Sequence, residues 1–298
     1  MLDFFPLSVY TYISKTDIYS KMQNIRQEGF FMMKIGVMPA SFRVPFKEAV
    51  IKARDMGAKG LQPYVTGGEL APENLTKDDR KAILKYVTDN GLVFSALCAD
   101  FGLNFRAYGE NDEGIKRTMA MMDLAVDLGT NVITTHIGHV PEDENSIEYI
   151  NVCKTIETLG KYGDSIGVCF ATETGPEKAI KLRGILEKVD TKSAKVNLDP
   201  ANFVMLCGQD PVEAVHILKD YIVHTHAKDG VMLGQIGEGR YQELPLGTGG
   251  VPYIEYLAAL RDEGFEGFLT IERECGETPE KDIQLAYDFL TDALKKLY

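Results

Sequence analysis

Ionisable side chains recur at one kind of position in this sequence, the point where a short apolar stretch ends. The segments are "TTHIGH", "ATETG", "NLDPAN", "HTHAKD" and "LTIERE", which carry His136 and His139, Glu173, Asp199, His224 and His226, and Glu272. Carboxylates and imidazoles are the groups that bind divalent cations and transfer protons in catalysis. If the apolar stretches are parallel strands of one barrel, their carboxyl ends meet at one mouth. We therefore expect these groups to converge there.

Three of these groups, Glu173, Asp199 and Glu272, are carboxylates that need a cation if they meet. Each one alone could be a solvated residue at the rim of the fold. Side by side they would repel one another and shift their pKa values, at a cost in stability. Carboxylate oxygens with one imidazole suit Mn²⁺, Mg²⁺ or Co²⁺ better than a structural Zn²⁺ ion. We predict one divalent ion, with Mn²⁺ as the first choice.

The two histidines of "HTH" share one face of their strand, because strand side chains alternate with a period of two. His226 lies nearer the predicted mouth and is assigned as the fourth ligand. His224 lies one layer deeper, where it either packs or holds a neighbour of the site.

The elements that position these groups follow a repeated unit from Lys34 onward: a short apolar strand, a loop and an amphipathic helix that ends at a glycine. Gly57, Gly129 and Gly264 fit the left-handed residue after such helices. The pattern predicts strands at 34–38, 59–65, 92–98, 131–137, 167–173, 195–199, 221–227 and 267–273, and helices near 45–56, 76–90, 111–128, 145–162, 177–189, 210–219, 252–263 and 279–297.

Eight successive strand–helix units predict a single (β/α)8 TIM barrel. The alternative is an open doubly wound sheet. It would need fewer strands, and "VMPASF" stands where the Gly-rich dinucleotide fingerprint would follow the first strand.

Composition limits the classes of function. The chain has 298 residues, 45% of them hydrophobic, and a net charge of −12 from 44 acidic and 32 basic residues. This charge disfavours nucleic acid as a partner, because that affinity depends on neutralising phosphates. No apolar run approaches the length of a membrane span, and the five scattered cysteines favour a reducing compartment. We expect a soluble cytoplasmic protein that could form a homo-oligomer.

Residues 1–31 differ in character from the rest of the chain. They lack the cationic start and small-residue cleavage site of a secretory signal. We expect either a loosely docked or disordered extension, or a mis-assigned start, because "RQEG" can be encoded by a ribosome-binding-like stretch just before Met32 and Met33. The barrel domain is then predicted to span 32–298.

The longest irregular stretch, 229–251, follows the predicted seventh strand. Long loops in compact domains are commonly functional, and this one lies on the side where barrel active sites form. We interpret it as a lid over the mouth, with an inert insertion as the alternative.

The motifs "ATETG", "NLDPAN", "HTHAKD", "PLGTGG" and "LTIERE", in this order, resemble the sugar phosphate isomerase/epimerase family. Its members have a xylose isomerase-like TIM barrel, and the superfamily includes AP endonuclease family two, ketose 3-epimerases and inosose dehydratases. The resemblance covers the chain from about Met33 and implies that Glu173, Asp199, His226 and Glu272 bind one divalent ion. In the ketose epimerases the two glutamates also exchange protons with the substrate. Glu173 and Glu272 are therefore our candidate acid and base.

Two positions depart from these relatives. The ketose 3-epimerases carry a histidine three residues after the strand-six aspartate and an arginine six residues after the strand-seven histidine. Here those places hold Asn202 and Met232. The departures argue against a standard 3-epimerase of free ketoses, and Asn202 also argues against DNA repair.

Further groups are expected around the mouth. His136 is a candidate general base, or a structural hydrogen-bonding residue. Asn202, Lys228, Asp229, His139 and His224 are candidate substrate contacts, although Lys228 and Asp229 could instead pair with each other. The segment "GTGG" could hold a phosphate through its N–H groups or simply form a tight turn.

Three functions fit these residues. The first is a metal-dependent isomerase or epimerase that transfers a proton next to the carbonyl of a sugar or polyol ketone. The second is a lyase on the same scaffold, either an inosose dehydratase or an enzyme that cleaves 3-oxo-glycosides by β-elimination. The third is a non-catalytic sugar-binding barrel, which the presence of all four ligands and a candidate base disfavours.

Overall fold

The computed structural model describes residues 33–109 and 112–298, which form a barrel of parallel strands surrounded by helices. The strands of the barrel are β1 (Lys34–Val37), β2 (Gly60–Leu61), β3 (Val93–Phe94), β4 (Leu97–Cys98), β5 (Val132–His136), β6 (Cys169–Glu173), β7 (Ala194–Leu198), β8 (Ile222–Ala227) and β11 (Phe268–Ile271). Two further strands, β9 (Asp229–Met232) and β10 (Tyr241–Leu244), form a separate antiparallel hairpin.

The parallel sheet closes through a strand that is split in two. Its order is β3-β2-β1-β11-β8-β7-β6-β5-β4, so β3 and β4 lie at its two ends. Only Ser95 and Ala96 separate these two strands along the chain, and together they correspond to the single strand predicted at 92–98. The predicted eight-stranded TIM barrel is therefore confirmed.

Within 33–109 and 112–298, eight helices of eight residues or more lie near their predicted positions. They are α1 (Phe46–Met56), α2 (Lys77–Asp89), α3 (Asp112–Asp127), α4 (Ile147–Ile166), α5 (Ala179–Lys188), α6 (Pro211–Leu218), α7 (Tyr253–Asp262) and α8 (Pro279–Leu297). Helix α1 ends at Gly57, whose φ of 101° is a left-handed conformation that costs a glycine little. Buried residues on the helices pack against the outer face of the strands and form the main apolar core.

The inside of the barrel below the mouth contains polar side chains. Gln62, Thr134, Asn197, His224 and Thr270 are each at most 1% exposed. Hydrogen bonds join them to one another and, through Gln62, to His226, so their burial is compensated. The metal ligands predicted from the sequence therefore lie above a polar layer.

The loop predicted as a lid, 229–251, contains the β9–β10 hairpin and is fixed to the barrel by charged groups. Glu243 of β10 accepts a hydrogen bond from Arg273, with 2.5 Å between Oε1 and Nη1, and Arg273 also donates to Asp282 of α8. These three side chains are buried. The stretch is thus more regular than its sequence indicates, because the anchoring contacts come from distant parts of the chain.

Several predictions lie beyond these observations. The extension at 1–31 falls outside the described residues, and the division at residue 32 stays a prediction. Within 33–109 and 112–298, the helices are all too short or too polar to cross a bilayer. The cytoplasmic location and the homo-oligomer stay predictions.

Candidate metal centre

Four strand ends bring together the residues predicted as metal ligands. Glu173 is the last residue of β6, His226 lies near the end of β8, and Asp199 and Glu272 directly follow β7 and β11. One ligand atom from each lies within 4.8 Å of the others, and all four residues are buried. Their convergence is observed, whereas their binding of an ion stays a prediction.

The imidazole of His226 is at the centre of the cluster. Its Nδ1 lies 3.1 Å from Glu272 Oε2, 3.3 Å from Glu173 Oε1 and 3.8 Å from Asp199 Oδ2. One ring nitrogen therefore faces all three carboxylates. The other, Nε2, faces the barrel interior and contacts Gln62 and Asn197.

Asp199 is fixed by the chain that follows it. Its Oδ1 accepts hydrogen bonds from the N–H groups of Ala201 and Asn202, at 2.8 and 3.2 Å. This caps a short helical turn, Pro200–Asn202, whose first position suits a proline. One carboxylate oxygen thus holds the turn, and Oδ2 is left facing the cluster.

Asn202, predicted as a substrate contact, touches two of the predicted ligands. Its Nδ2 donates to the Thr174 carbonyl at 2.9 Å and to Glu173 Oε1 at 3.3 Å, and its backbone N–H reaches Asp199. The residue is buried. In this arrangement Asn202 orients Glu173, and a role in substrate binding stays a prediction.

Opposite charges determine the ionisation of Glu272 and His226. Burial disfavours the charged form of each group, but the attraction of His226 and Lys228 outweighs it and holds the pKa of Glu272 below its usual range. In the same way, Glu272 and Glu173 outweigh burial and raise the pKa of His226. Without a metal, the imidazole therefore carries the positive charge that the carboxylates need, and a metal would displace its Nδ1 proton.

Lys228 pairs with carboxylates other than Asp229. Its Nζ lies 3.2 Å from Glu272 Oε2 and also contacts Glu274. Lys228 directly follows β8, two residues after His226, and its buried ammonium group lies beside the predicted ligand Glu272, so Lys228 joins the site.

Asp229 accepts hydrogen bonds from the backbone and does not join the cluster. Its two oxygens accept from the N–H groups of Gly230, Gly247, Gly249 and Val251 at 2.8 to 3.1 Å. The N–H groups of "GTGG" that could hold a phosphate are therefore partly occupied by a carboxylate of the chain itself. Asp229 holds the loop, and its predicted contact with substrate gains no support from this arrangement.

The other three predicted histidines differ in position. His136 borders the cluster, with Nε2 3.5 Å from Glu173 Oε1 and a side chain 44% exposed; the charge of Glu173 raises its pKa against the effect of burial. His224 lies one layer deeper, as expected, and burial lowers its pKa. His139 is exposed and is not part of the four-residue cluster.

The cluster fits a divalent ion on chemical grounds. Asp199 Oδ2 and His226 Nδ1 are buried and make no well-aligned hydrogen bond, although a protonated Nδ1 is ion-paired with the three carboxylates at 3.1 to 3.8 Å. A buried oxygen such as Asp199 Oδ2 normally has a partner, because leaving it unpaired costs about 1–3 kcal/mol. Three carboxylates and one imidazole with Asp199 Oδ2 and His226 Nδ1 facing inward form a donor set suited to an ion that prefers oxygen and nitrogen ligands.

Three residues near the mouth did not stand out in the sequence. Gln62 contacts the ring of His226. Tyr64, two residues further along the same face, pairs with Cys98 and is 38% exposed; burial and the nearby Cys98, Glu272 and Glu173 raise the pKa of its phenol. The sequence did offer one signal for Gln62 and Tyr64. Side chains alternate along the predicted strand 59–65, so residues 62 and 64 point to the same side.

Glu177, the third such residue, lies in the loop after β6. Its Oε1 accepts from the Gly175 N–H at 3.1 Å, and its buried Oε2 has no partner. Burial raises the pKa of Glu177 to about 7. Nothing in the sequence distinguishes it from an ordinary loop glutamate.

Comparison with known proteins identifies the family. The model of the xylose isomerase-like TIM barrel family matches residues 50–293, so the chain belongs to this family. The resemblance inferred from the strand-end motifs is therefore confirmed.

Individual relatives are distant in sequence. A Haemophilus influenzae protein named "Putative L-ribulose-5-phosphate 3-epimerase SgbU" is 22% identical over 280 residues, which cover 88% of this chain and 97% of that protein. The crystal structure of a xylose isomerase domain protein from Planctomyces limnophilus superposes with a TM-score of 0.78 at 25% identity, covering 89% of this chain and 98% of that one. A D-psicose 3-epimerase from Clostridium cellulolyticum, solved with D-tagatose, gives a TM-score of 0.70 at 16% identity and covers 88% and 99%.

Proposed function

We propose that this protein is a divalent-metal-dependent sugar isomerase or epimerase that transfers a proton at a carbon next to a carbonyl. The observation that carries the proposal is the buried cluster of Glu173, Asp199, His226 and Glu272, in which three carboxylates face one imidazole nitrogen and Asp199 Oδ2 and His226 Nδ1 make no hydrogen bond. A cation among them would give every one of these atoms a partner. The epimerase names of the Haemophilus and Clostridium relatives support the reaction class.

The four residues would hold one ion, with Mn²⁺ as the first choice and Mg²⁺ or Co²⁺ as alternatives. When bound, such an ion would polarise the carbonyl and hydroxyl oxygens of the substrate. Asn202 holds Glu173 in place, and the helical turn after β7 holds Asp199. The chain therefore supplies a donor set whose side chains are positioned before any ligand arrives.

Glu173 and Glu272 are the candidate acid and base. They come from different strands, so one could remove a proton from one face of a substrate carbon and the other could return a proton to the opposite face. Lys228, with Nζ 3.2 Å from Oε2, favours the ionised form of Glu272 that accepts a proton. His136 contacts Glu173 and is half-exposed, so it could exchange that proton with water.

The substrate is a small sugar or polyol ketone. Asp229 occupies backbone N–H groups that could otherwise bind a phosphate, which favours a substrate without one. The name of the Haemophilus relative, however, includes a sugar phosphate. A test panel should therefore contain L-ribulose, L-ribulose 5-phosphate and D-tagatose.

Deuterium uptake tests the proposed reaction. The Mn²⁺-loaded protein is incubated with each sugar in D₂O, and loss of the proton signal next to the carbonyl is followed by NMR. We expect exchange that stops after chelation and that falls about 10³-fold in Glu173→Gln, because one proton-transfer group contributes on that scale. Glu266→Gln, an exposed glutamate just before β11, is the matched control and should exchange at the wild-type rate.

Two results would contradict the proposal. If exchange proceeds equally in Glu173→Gln, that carboxylate does not transfer the proton. If the substrate loses water or an aglycone without reversible label uptake, the protein is a lyase that uses the same cluster.

A further inference from the structure

Gln62 is buried inside the barrel and joins two of its polar side chains. It lies in the extended chain just after β2 and is 0% exposed. Its Nε2 donates to Thr134 Oγ1 at 2.9 Å, and its Oε1 lies 3.0 Å from His226 Nε2. The amide therefore connects β5 to the central histidine of the cluster.

The direction of these hydrogen bonds determines which nitrogen of His226 carries a proton. Because the Gln62 amide nitrogen donates to Thr134, its oxygen faces the imidazole and can only accept. The ring therefore carries its proton on Nε2. In the neutral imidazole this leaves a lone pair on Nδ1, the atom that faces the three carboxylates.

The other neighbours of the ring cannot supply this acceptor. Asn197 presents its Nδ2, a donor, at 3.1 Å from His226 Nε2, so with a proton on Nε2 this contact is not a hydrogen bond, and its Oδ1 lies 2.9 Å from His224 Nδ1. His224 in turn contacts Thr270 Oγ1 at 2.9 Å and stands perpendicular to His226 at 6.0 Å. These groups enclose the ring, and Gln62 alone among those described offers an oxygen to Nε2.

We propose that Gln62 is a positioning residue of the metal centre, which holds His226 in the tautomer that presents Nδ1 to the ion. The inference rests on the proposed function, because it presumes that the cluster binds a divalent cation. Partners of a metal-bound histidine are commonly carboxylates or backbone carbonyls, and their loss weakens metal binding 10- to 100-fold. Here a neutral side-chain amide has that position, so it adds no fourth negative charge to the cluster.

Metal affinity tests the inference without an activity assay. Mn²⁺ binding is measured by calorimetry for the wild type, Gln62→Met and Gln62→Glu, with Gln284→Met, at an exposed position of α8, as the matched control. Methionine has a similar volume to glutamine but offers no oxygen, so we expect Mn²⁺ affinity to fall about 10- to 100-fold. Glutamate keeps the acceptor and should retain affinity within a few-fold of the wild type, and the control should be unchanged.

Nitrogen-15 NMR of the Mg²⁺-loaded protein gives an independent readout of the tautomer. In the wild type, His226 should show a proton on Nε2 and none on Nδ1. In Gln62→Met, the ring should no longer be held in this one tautomer. Wild-type Mn²⁺ affinity in a folded Gln62→Met, or a proton on Nδ1 in the loaded wild type, would overturn the role of Gln62 alone. Failure of the wild type to bind any divalent ion would overturn the proposed function as well.

Discussion

The two sides of the barrel mouth differ in charge and in the length of their strands. On one side β6, β7, β8 and β11 are four to six residues long and end in the buried charged cluster. On the other side β2, β3 and β4 are two residues each, and the nearby side chains include the neutral Gln62, Tyr64 and Cys98; Asp100, two residues after β4, lies 4.0 Å from His136 and is not part of the four-residue cluster. The charged side supplies the candidate ligands. The neutral side orients one of them and contributes a half-exposed phenol, so each side performs a task that the other lacks.

Removing a ligand on the charged side should have the largest effect. In Asp199→Ala, the cluster loses one carboxylate and the cap of the turn that follows it. We expect Mn²⁺ affinity to fall at least about 10³-fold, because the remaining donors no longer surround the ion. Calorimetric titration with Mn²⁺ checks this, with Asp78→Asn on α2 as an exposed control. Wild-type affinity in Asp199→Ala would mean that the charged side is not the metal centre.

Substitution of Asp229 tests whether a charged residue beside the mouth also stabilises the fold. In Asp229→Asn, an amide replaces a carboxylate that accepts four backbone N–H groups, and only one amide oxygen can accept. We expect the free energy of unfolding to fall by about 3 kcal/mol, since hydrogen bonds to charged groups contribute about 1.5–3 kcal/mol each and some are lost. Urea denaturation measures the change. A loss below about 0.5 kcal/mol would show that the loop does not depend on this carboxylate.

Glu177, on the charged side, should make the free energy of unfolding depend on pH. Its pKa is raised by burial from 4.5 to about 7, so the folded protein binds this proton more tightly than the unfolded chain. Stability should therefore fall as the pH rises from about 4.5 to about 7. Glu177→Gln cannot ionise, so relative to the wild type it should gain roughly 3 kcal/mol between pH 4.5 and pH 8. Urea midpoints at the two pH values test this, and an equal difference at both would contradict it.

Substitution of Tyr64 tests the contribution of the neutral side to activity, and we expect it to have the smallest effect of the four. Tyr64→Phe removes only the hydroxyl group of a side chain that is 38% exposed and close enough to Glu272 and Glu173 to feel their charge. We expect kcat/KM for the exchanging sugar to fall about 10-fold, the value of one hydrogen bond to substrate, with Mn²⁺ affinity unchanged. Tyr241→Phe on the hairpin is an exposed control. A loss of Mn²⁺ affinity in Tyr64→Phe would remove the distinction between the two sides.

The convergence of Glu173, Asp199, His226 and Glu272 could be predicted from the sequence because its signals are local. A carboxylate at the end of an apolar strand is conspicuous, and the alternation of strand residues separated His226 from His224. The closed barrel followed from eight repeated units. These inferences needed only the position of each residue within its own element.

The remaining features depend on contacts between distant elements. Gln62 looks like any polar residue beside a proline until β8 places His226 against it. Lys228 was expected to contact substrate or Asp229, yet it meets Glu272 and Glu274. Asp229 was expected at the mouth but meets N–H groups up to 22 residues away. No spacing in the sequence specifies these partners, because strand twist and loop path determine them.

The contact between Gln62 and His226 spans 164 residues, and Glu272 lies a further 46 residues along the chain than His226. During synthesis the cluster therefore cannot assemble until nearly the whole barrel has left the ribosome. Long-range contacts of this kind form late, after the cost of closing large loops has been met. Uptake of a metal ion would then mark a chain whose last strand is in place, and unfinished chains would remain without the stability that the ion confers.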